Sequence, residues 1–254
     1  RAEEHLTNSP RQILVLRALD LPVPHYGHMS LVVGADGAKL SKRHGATTVQ
    51  EYREQGFTAA ALCNLLFRLG HSSGENGLLD LPAMARAFDP AHLGRAPAHF
   101  DAVQLRAWQK ESVQRMSDAE VQAWLGPEVP QGLDEAARAA FVEAVRPNVV
   151  LPADAGEWRT IVFGDPPGLG AAEQAVIDEA GRAFFTAAAA AAAATPRDFR
   201  AIAAATGSAM GRKGKALYQP LRVALTGLTH GPELAPLLRA MPEGSAQARL
   251  ARFT

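Results

Sequence analysis

The stretch GADGAKLSKRHGATTV, residues 34–49, sets three glycines, one serine and three lysines or arginines between a short apolar run and a helix-forming segment. Gly34, Gly37 and Gly45 give the backbone access to conformations that other residues avoid, so the loop can approach a ligand closely. Lys39 and Lys42 are flexible point charges suited to phosphate oxygens. Ser41 adds a hydroxyl, and backbone N–H groups here could form an anion nest. The GxxxxGK[ST] spacing of a phosphate-binding P-loop is absent. On residue types alone, a solvated turn and a phosphate clamp both remain open.

Outward from this loop the pattern is mixed on one side and helical on the other. Upstream, Ser9 and Pro10 open a helix running to about Leu19, with Ser9 as its cap. HMSLVV (28–33) reads as a strand ended by the turn Gly34–Gly37. Downstream, Thr48 with Glu51 and Ser117 with Glu120 form capping boxes, while Thr58 and Asp101 open further helices. Further helices are expected over 134–145, 171–194, 197–205, 214–226 and 231–241. GPEVPQG (126–132) and GDPPGLG (164–170) read as linkers.

The chain has 254 residues and no net formal charge, with 47% hydrophobic residues. That is enough for two or more domains. No apolar run is long enough to span a bilayer, and FFTAAAAAAAAT (184–195) reads as plain helix. Cys63 is the one cysteine, so no intrachain disulfide can form, which fits a reducing cytosol. The histidines are scattered, and no structural metal is expected. From Arg197 to Arg222 there are six cations against Asp198 alone, a local excess able to hold phosphates.

The order Lys39-Leu40-Ser41-Lys42-Arg43, continued as HGATTVQEYREQGF, resembles the KMSKS signature of class I aminoacyl-tRNA synthetases in its glutamyl branch. RAEEHLTNSPRQ (1–12) is similar to the strand-to-helix segment closing that family's active site. GRKGKALYQPLRVALTGLTHGPELAPLL (211–238) resembles its carboxy-terminal anticodon-binding helices. The likeness runs along nearly the whole chain in the same order.

The resemblance implies a mainly α fold. The truncated end of a Rossmann-like domain would occupy 1–20 and a stem-contact region 21–115. Two helical anticodon-binding parts would follow at 116–168 and 169–254. It implies a glutamate–tRNA ligase using ATP with Mg²⁺, glutamate and tRNA-Glu, in the cytoplasm and as a monomer. Lys42 and Lys39 would be catalytic, with Ser41, Lys42, Leu31, Val32 and Glu4 around ATP. Arg1 would pair with a carboxylate of glutamate, a task suited to a bidentate fork. Asn148 would meet the anticodon.

There are departures from the family pattern. No HIGH-type motif is found, and Arg1 would fall about halfway along such an enzyme, so this chain is expected to need the missing amino-terminal catalytic half. Arg146-Pro147-Asn148 has asparagine where discriminating members place arginine, which opens the chain to tRNA-Gln as well as tRNA-Glu. Gln109 follows Trp108 where Trp-Leu-Asn is usual, and a packing change is expected. A non-catalytic tRNA-binding fragment or paralogue is the alternative. A glutaminyl enzyme is disfavoured by the scarcity of strands after residue 50.

Overall fold

The computed structural model describes residues 1–41, 43 and 48–254. The chain divides into two compact units, Arg1–Ser112 and Val113–Thr254.

The first unit contains α1 (Ser9–Ala18), β1 (Val32–Val33), α2 (Val49–Glu54), α3 (Ala59–Arg68), α4 (Leu81–Ala87), β2 (Ala98–His99) and the start of α5 (Ala102–Arg115). β1 pairs in parallel with β2, Val32 opposite Ala98 and Val33 opposite His99. The expected strand over 28–33 is thus confined to its last two residues. Its partner is equally short, and Met29 makes only an isolated bridge to Ala2. Ser9 is not the cap of α1. Asn8 holds that position without a side-chain bond, and the Ser9 hydroxyl donates to the His5 carbonyl at 3.0 Å and lies 2.8 Å from His28 Nε2. The caps at Thr48 and Thr58 form as expected, each accepting a backbone N–H of the first turn. Asp80 caps α4 in the same way, a helix that the sequence reading passed over.

The core of this unit is small: Ala61, Leu62, Leu65 and Leu105, with Tyr52, Phe57, Phe100 and Trp108 packed around them. Buried polar groups add specificity to it. Asn64, fully buried, donates to the Ala60 and Leu79 carbonyls and accepts the Leu79 N–H, pinning the 77–79 segment to α3. The Arg68 guanidinium lies 4.4 Å from the Trp108 ring centroid and donates to Asn64 Oδ1 and the Gly77 carbonyl.

The second unit begins with the end of α5 and continues through α6 (Asp118–Leu125), α7 (Glu135–Val145), α8 (Ala155–Phe163), α9 (Ala171–Ala180), α10 (Arg182–Ala194), α11 (Phe199–Met210), α12 (Lys215–Thr226), α13 (Leu234–Ala240) and α14 (Ser245–Ala251). The single helix expected over 171–194 is two. Gly181 takes φ +77° between them, a conformation that ends α9 and restarts the chain as α10. α11 reaches further than expected, to Met210, where Gly211 in the left-handed region stops it. One continuous cluster forms the core, with Phe141, Ile161, Phe184, Phe185, Leu221 and Leu237 among its fully buried members. The alanine tract has a packing role: Ala188, Ala191 and Ala192 are buried where α10 packs against α11 and α14. Trp158 is core, and its ring fills the space beside Gly231, where a Cβ would meet it at 2.1 Å.

Arg249 is the unit's buried cation. Its guanidinium donates to the Leu225 carbonyl at 2.6 Å, Ile161 at 2.6 Å and Gly164 at 2.8 Å, tying α14 to the ends of α8 and α12. Burial and then the like charge of Arg252 lower its pKa, against the opposing effect of Asp165.

Candidate nucleotide loop and nucleic-acid face

The loop leaves β1 through a tight turn. Gly37 has φ +74°, which a glycine adopts without steric cost. The Gly34 N–H donates to the Ala38 carbonyl at 2.8 Å, and the Asp36 carboxylate accepts the Ala38 N–H at 3.0 Å. The chain then turns back on the strand, with Lys39 bridging Val33 in antiparallel sense. This turn brings Lys39 to the amino-terminal segment, where its ammonium lies 3.3 Å from the Glu4 carboxylate.

The amino-terminal residues run beside 29–31. Met29 N–H donates to the Arg1 carbonyl at 2.7 Å, Glu3 N–H to the Met29 carbonyl at 2.8 Å, and Leu31 N–H to the Glu3 carboxylate at 3.4 Å. The segment carrying Glu3 and Glu4 thus meets both Leu31 and Lys39, while the Val32 carbonyl accepts the Leu40 N–H at 3.3 Å. Arg1 is exposed, and its guanidinium lies 5.7 Å from the Tyr26 ring. Ser41 is exposed, and Arg43 pairs with Asp36 at 3.2 Å. Lys42 lies outside the described residues. Among those described, no group of three or more His, Cys, Asp or Glu side chains is placed to hold a metal ion.

Several cations of the second unit line clefts beside α11 and α12. Arg200, Lys215, Tyr218, Arg222 and Glu233 line a cleft of about 550 Å³. Arg212, Lys213 and Tyr218 line an adjoining one with Arg200. Arg222 is steered by the Pro232 carbonyl, which its guanidinium meets at 2.9 Å, and burial lowers its pKa. The Tyr218 ring is half exposed, 6.1 Å from that of Phe199. The ring is thus open to a stacked base, whereas Trp158 is core and Trp124 packs against the core.

Asn148 is exposed in the 3₁₀ turn after α7, and its amide donates to the Ala144 carbonyl at 3.4 Å. Arg146 fixes that turn. Its guanidinium donates to the Gln114 and Met116 carbonyls and, at 3.0 Å, to Asp118, while the Gln114 amide returns to the Arg146 carbonyl. This Arg146 lock was not read from the sequence, because a lone arginine beside a proline gives no local sign of carbonyl partners 30 residues away.

Residues 1–107 match the family of class I tRNA synthetases (E and Q), catalytic domain, and residues 118–254 match the anticodon binding domain. The chain belongs to the glutamyl-tRNA synthetase family. It is 48% identical over 250 residues to a glutamate–tRNA ligase 2 of Nitrosococcus oceani, covering 98% of this chain and 53% of that protein. To the glutamate–tRNA ligase 2 of Acidithiobacillus ferrooxidans it is 50% identical, covering 98% of this chain and 52% of the relative. The chain therefore spans about half the length of the curated relatives it matches. Among solved structures, a glutamate tRNA ligase from Elizabethkingia meningosepticum in complex with its amino acid superposes with a TM-score of 0.85 at 20% identity. That match covers all of this chain and 56% of the other. The family's anticodon-binding domain accounts for the helical character of the second unit.

Proposed function

We propose that this chain is the carboxy-terminal part of a glutamate–tRNA ligase that works in the cytoplasm as a monomer. A carboxylate oxygen of glutamate attacks the α-phosphorus of ATP, supplied with Mg²⁺, and pyrophosphate leaves. The hydroxyl of the terminal adenosine of tRNA-Glu then takes the glutamyl group from the adenylate, releasing AMP. The protein's share is positioning and charge stabilisation. Lys42 and Lys39 neutralise the departing pyrophosphate, Ser41 binds the phosphates, and Leu31, Val32 and Glu4 border the nucleotide. Arg1 takes a glutamate carboxylate. Asn148 and the cationic clefts of α11 and α12 take the anticodon region, with tRNA-Gln also admitted. Residues 1–20 close the catalytic domain, 21–115 contact the acceptor stem, and 116–168 and 169–254 form the two anticodon-binding parts.

The observation that carries this reading is the convergence of Glu4 and Lys39, 35 residues apart in sequence, at the start of the cationic loop. A phosphate clamp requires that convergence, and a solvated turn does not. The test is ATP–pyrophosphate exchange with glutamate and tRNA-Glu. A polypeptide at the length of the relatives should exchange, and Lys42→Ala should lower the rate by about a hundredfold or more. The chain alone should not exchange. Robust exchange that survives Lys42→Ala would overturn the assignment, as would tRNA binding with no exchange at the relatives' length.

A further inference from the structure

The two ends of the cationic loop are held by one segment, residues 98–112. At the leading end, β2 supports β1: Ala98 N–H donates to the Leu31 carbonyl at 3.0 Å, and Phe100 N–H to the Val33 carbonyl at 2.8 Å. At the trailing end the chain re-enters the fold through α2 and the corner Gly56-Phe57-Thr58. There α5 presents Gln109, fully buried. Its Oε1 accepts the Thr58 N–H at 2.9 Å and lies 3.1 Å from the Thr58 hydroxyl, and its Nε2 donates to the Gly56 carbonyl at 3.3 Å. Ser112 Oγ lies 2.9 Å from the same hydroxyl. Tyr52 of α2 packs between Phe57 and Phe100, with ring centroids 5.4 and 5.9 Å away, so the two ends also share an aromatic contact.

We infer that Gln109 is a positioning residue for the loop's flanks: its buried amide fixes the α2–α3 corner on the segment that carries β2, so that the strand before the loop and the helix after it rest on one support. This rests on the loop's proposed role in ATP chemistry. The side chain must both accept and donate here. A leucine or methionine of similar size would remove the acceptor of the Thr58 N–H, and a part-buried donor that loses its acceptor is costly. The effect is local to the loop ends. The other buried amide of this unit, Asn64, grips the Leu79 backbone and touches neither end of the loop.

Two readouts test it on Gln109→Met, with Asn64→Ala as the control. The first is amide hydrogen exchange, which requires no activity. Gln109→Met should speed exchange at 49–57 by about tenfold relative to 81–87, and Asn64→Ala should do the reverse. The second is ATP–pyrophosphate exchange at the relatives' length. There Gln109→Met should lower kcat by about ten- to a hundredfold with KM for glutamate unchanged. Gln109→Glu keeps the acceptor for Thr58 and should recover part of the protection at 49–57. Unchanged kcat would overturn the inference, as would loss of protection spread evenly over the unit. If the unsubstituted polypeptide lacks exchange activity, the functional reading fails, and hydrogen exchange still separates that failure from a missing clamp.

Discussion

Glu4 and Lys39 are 35 residues apart in sequence, yet the Lys39 ammonium lies 3.3 Å from the Glu4 carboxylate. Both side chains are well exposed, so the pair contributes at most about 1 kcal/mol to stability. On the proposed reading of the loop, its consequence is functional. A triphosphate reaching for Lys39 must displace Glu4, so the two residues should act in opposite directions on nucleotide binding. Lys39→Ala should weaken ATP binding at the relatives' length, and Glu4→Gln should tighten it a few-fold. Both should leave the thermal midpoint nearly unmoved. Calorimetric titration at low and high salt checks this, and parallel weakening by both variants would sink it.

Arg249 offers the opposite case, a buried cation surrounded by carbonyl oxygens. Arg249→Met keeps the apolar bulk but leaves the Leu225, Ile161 and Gly164 carbonyls without their donor. The expected loss is about 3 kcal/mol or more in urea unfolding, since each buried acceptor left unpaired costs about 1–3 kcal/mol. Arg252 makes an exposed pair with Asp165 at 2.9 Å, and Arg252→Ala should cost under about 1 kcal/mol. Equal shifts from the two variants would show that the carbonyl cluster is not what holds α14.

How much of this was legible follows from the range of each signal. Capping boxes at Thr48 and Ser117 are written within four residues, and both formed. The family resemblance at KLSKR was legible because its residues and their order are local. Gly181 was misread because a glycine within an alanine-rich helical pattern looks tolerable until its positive φ is seen. Gln109 looked like an incidental replacement after Trp108, since its partners at Gly56 and Thr58 lie more than fifty residues upstream. Arg249 and Arg146 escaped for the same reason: most of their partners are carbonyls, which sequence does not mark.

The Ser117–Glu120 box gives a pH dependence with a definite sign. The Glu120 carboxylate accepts the Ser117 N–H and hydroxyl, both at 2.8 Å, and these bonds hold its pKa below the ordinary carboxyl value. The folded state therefore favours the charged form. That contribution is present above the unfolded pKa of about 4.3 and is lost as pH falls through the lower folded value. Glu120→Gln keeps the reach of the side chain but removes the titration. The gap between its unfolding midpoint and that of the parent should be full above the ordinary carboxyl pKa and shrink as the pH falls below it. A gap that stays constant would mean that the charge contributes nothing.

Asn148 tests what the Arg146 turn is for. Arg146 holds that turn against Gln114 and Met116, so a residue at 148 can change without moving the backbone beneath it. Asn148→Arg should leave stability within about 0.5 kcal/mol, as is usual for a surface change. It should also shift the ratio of kcat/KM toward tRNA-Glu over tRNA-Gln at the relatives' length. Arg146→Ala should damage both tRNAs together and lower stability as well. If Asn148→Arg left the ratio untouched, position 148 would not face the anticodon.

The cleft of α11 and α12 separates charge from stacking. Arg200 and Lys215 line it beside the half-exposed Tyr218. Cations that neutralise phosphates release counterions, so Arg200→Ala and Lys215→Ala should each weaken tRNA binding. Each should also reduce the magnitude of the log–log salt slope by about 0.7 to 0.9. Tyr218→Ala should weaken binding by about 1–3 kcal/mol, the usual worth of a base stacked on an aromatic ring, with the slope unchanged. Measured as tRNA affinity across a salt series, the three variants therefore differ in pattern as well as size. A Tyr218→Ala effect that vanished at high salt would place the ring outside the base-contacting surface and leave the cleft as a phosphate track alone.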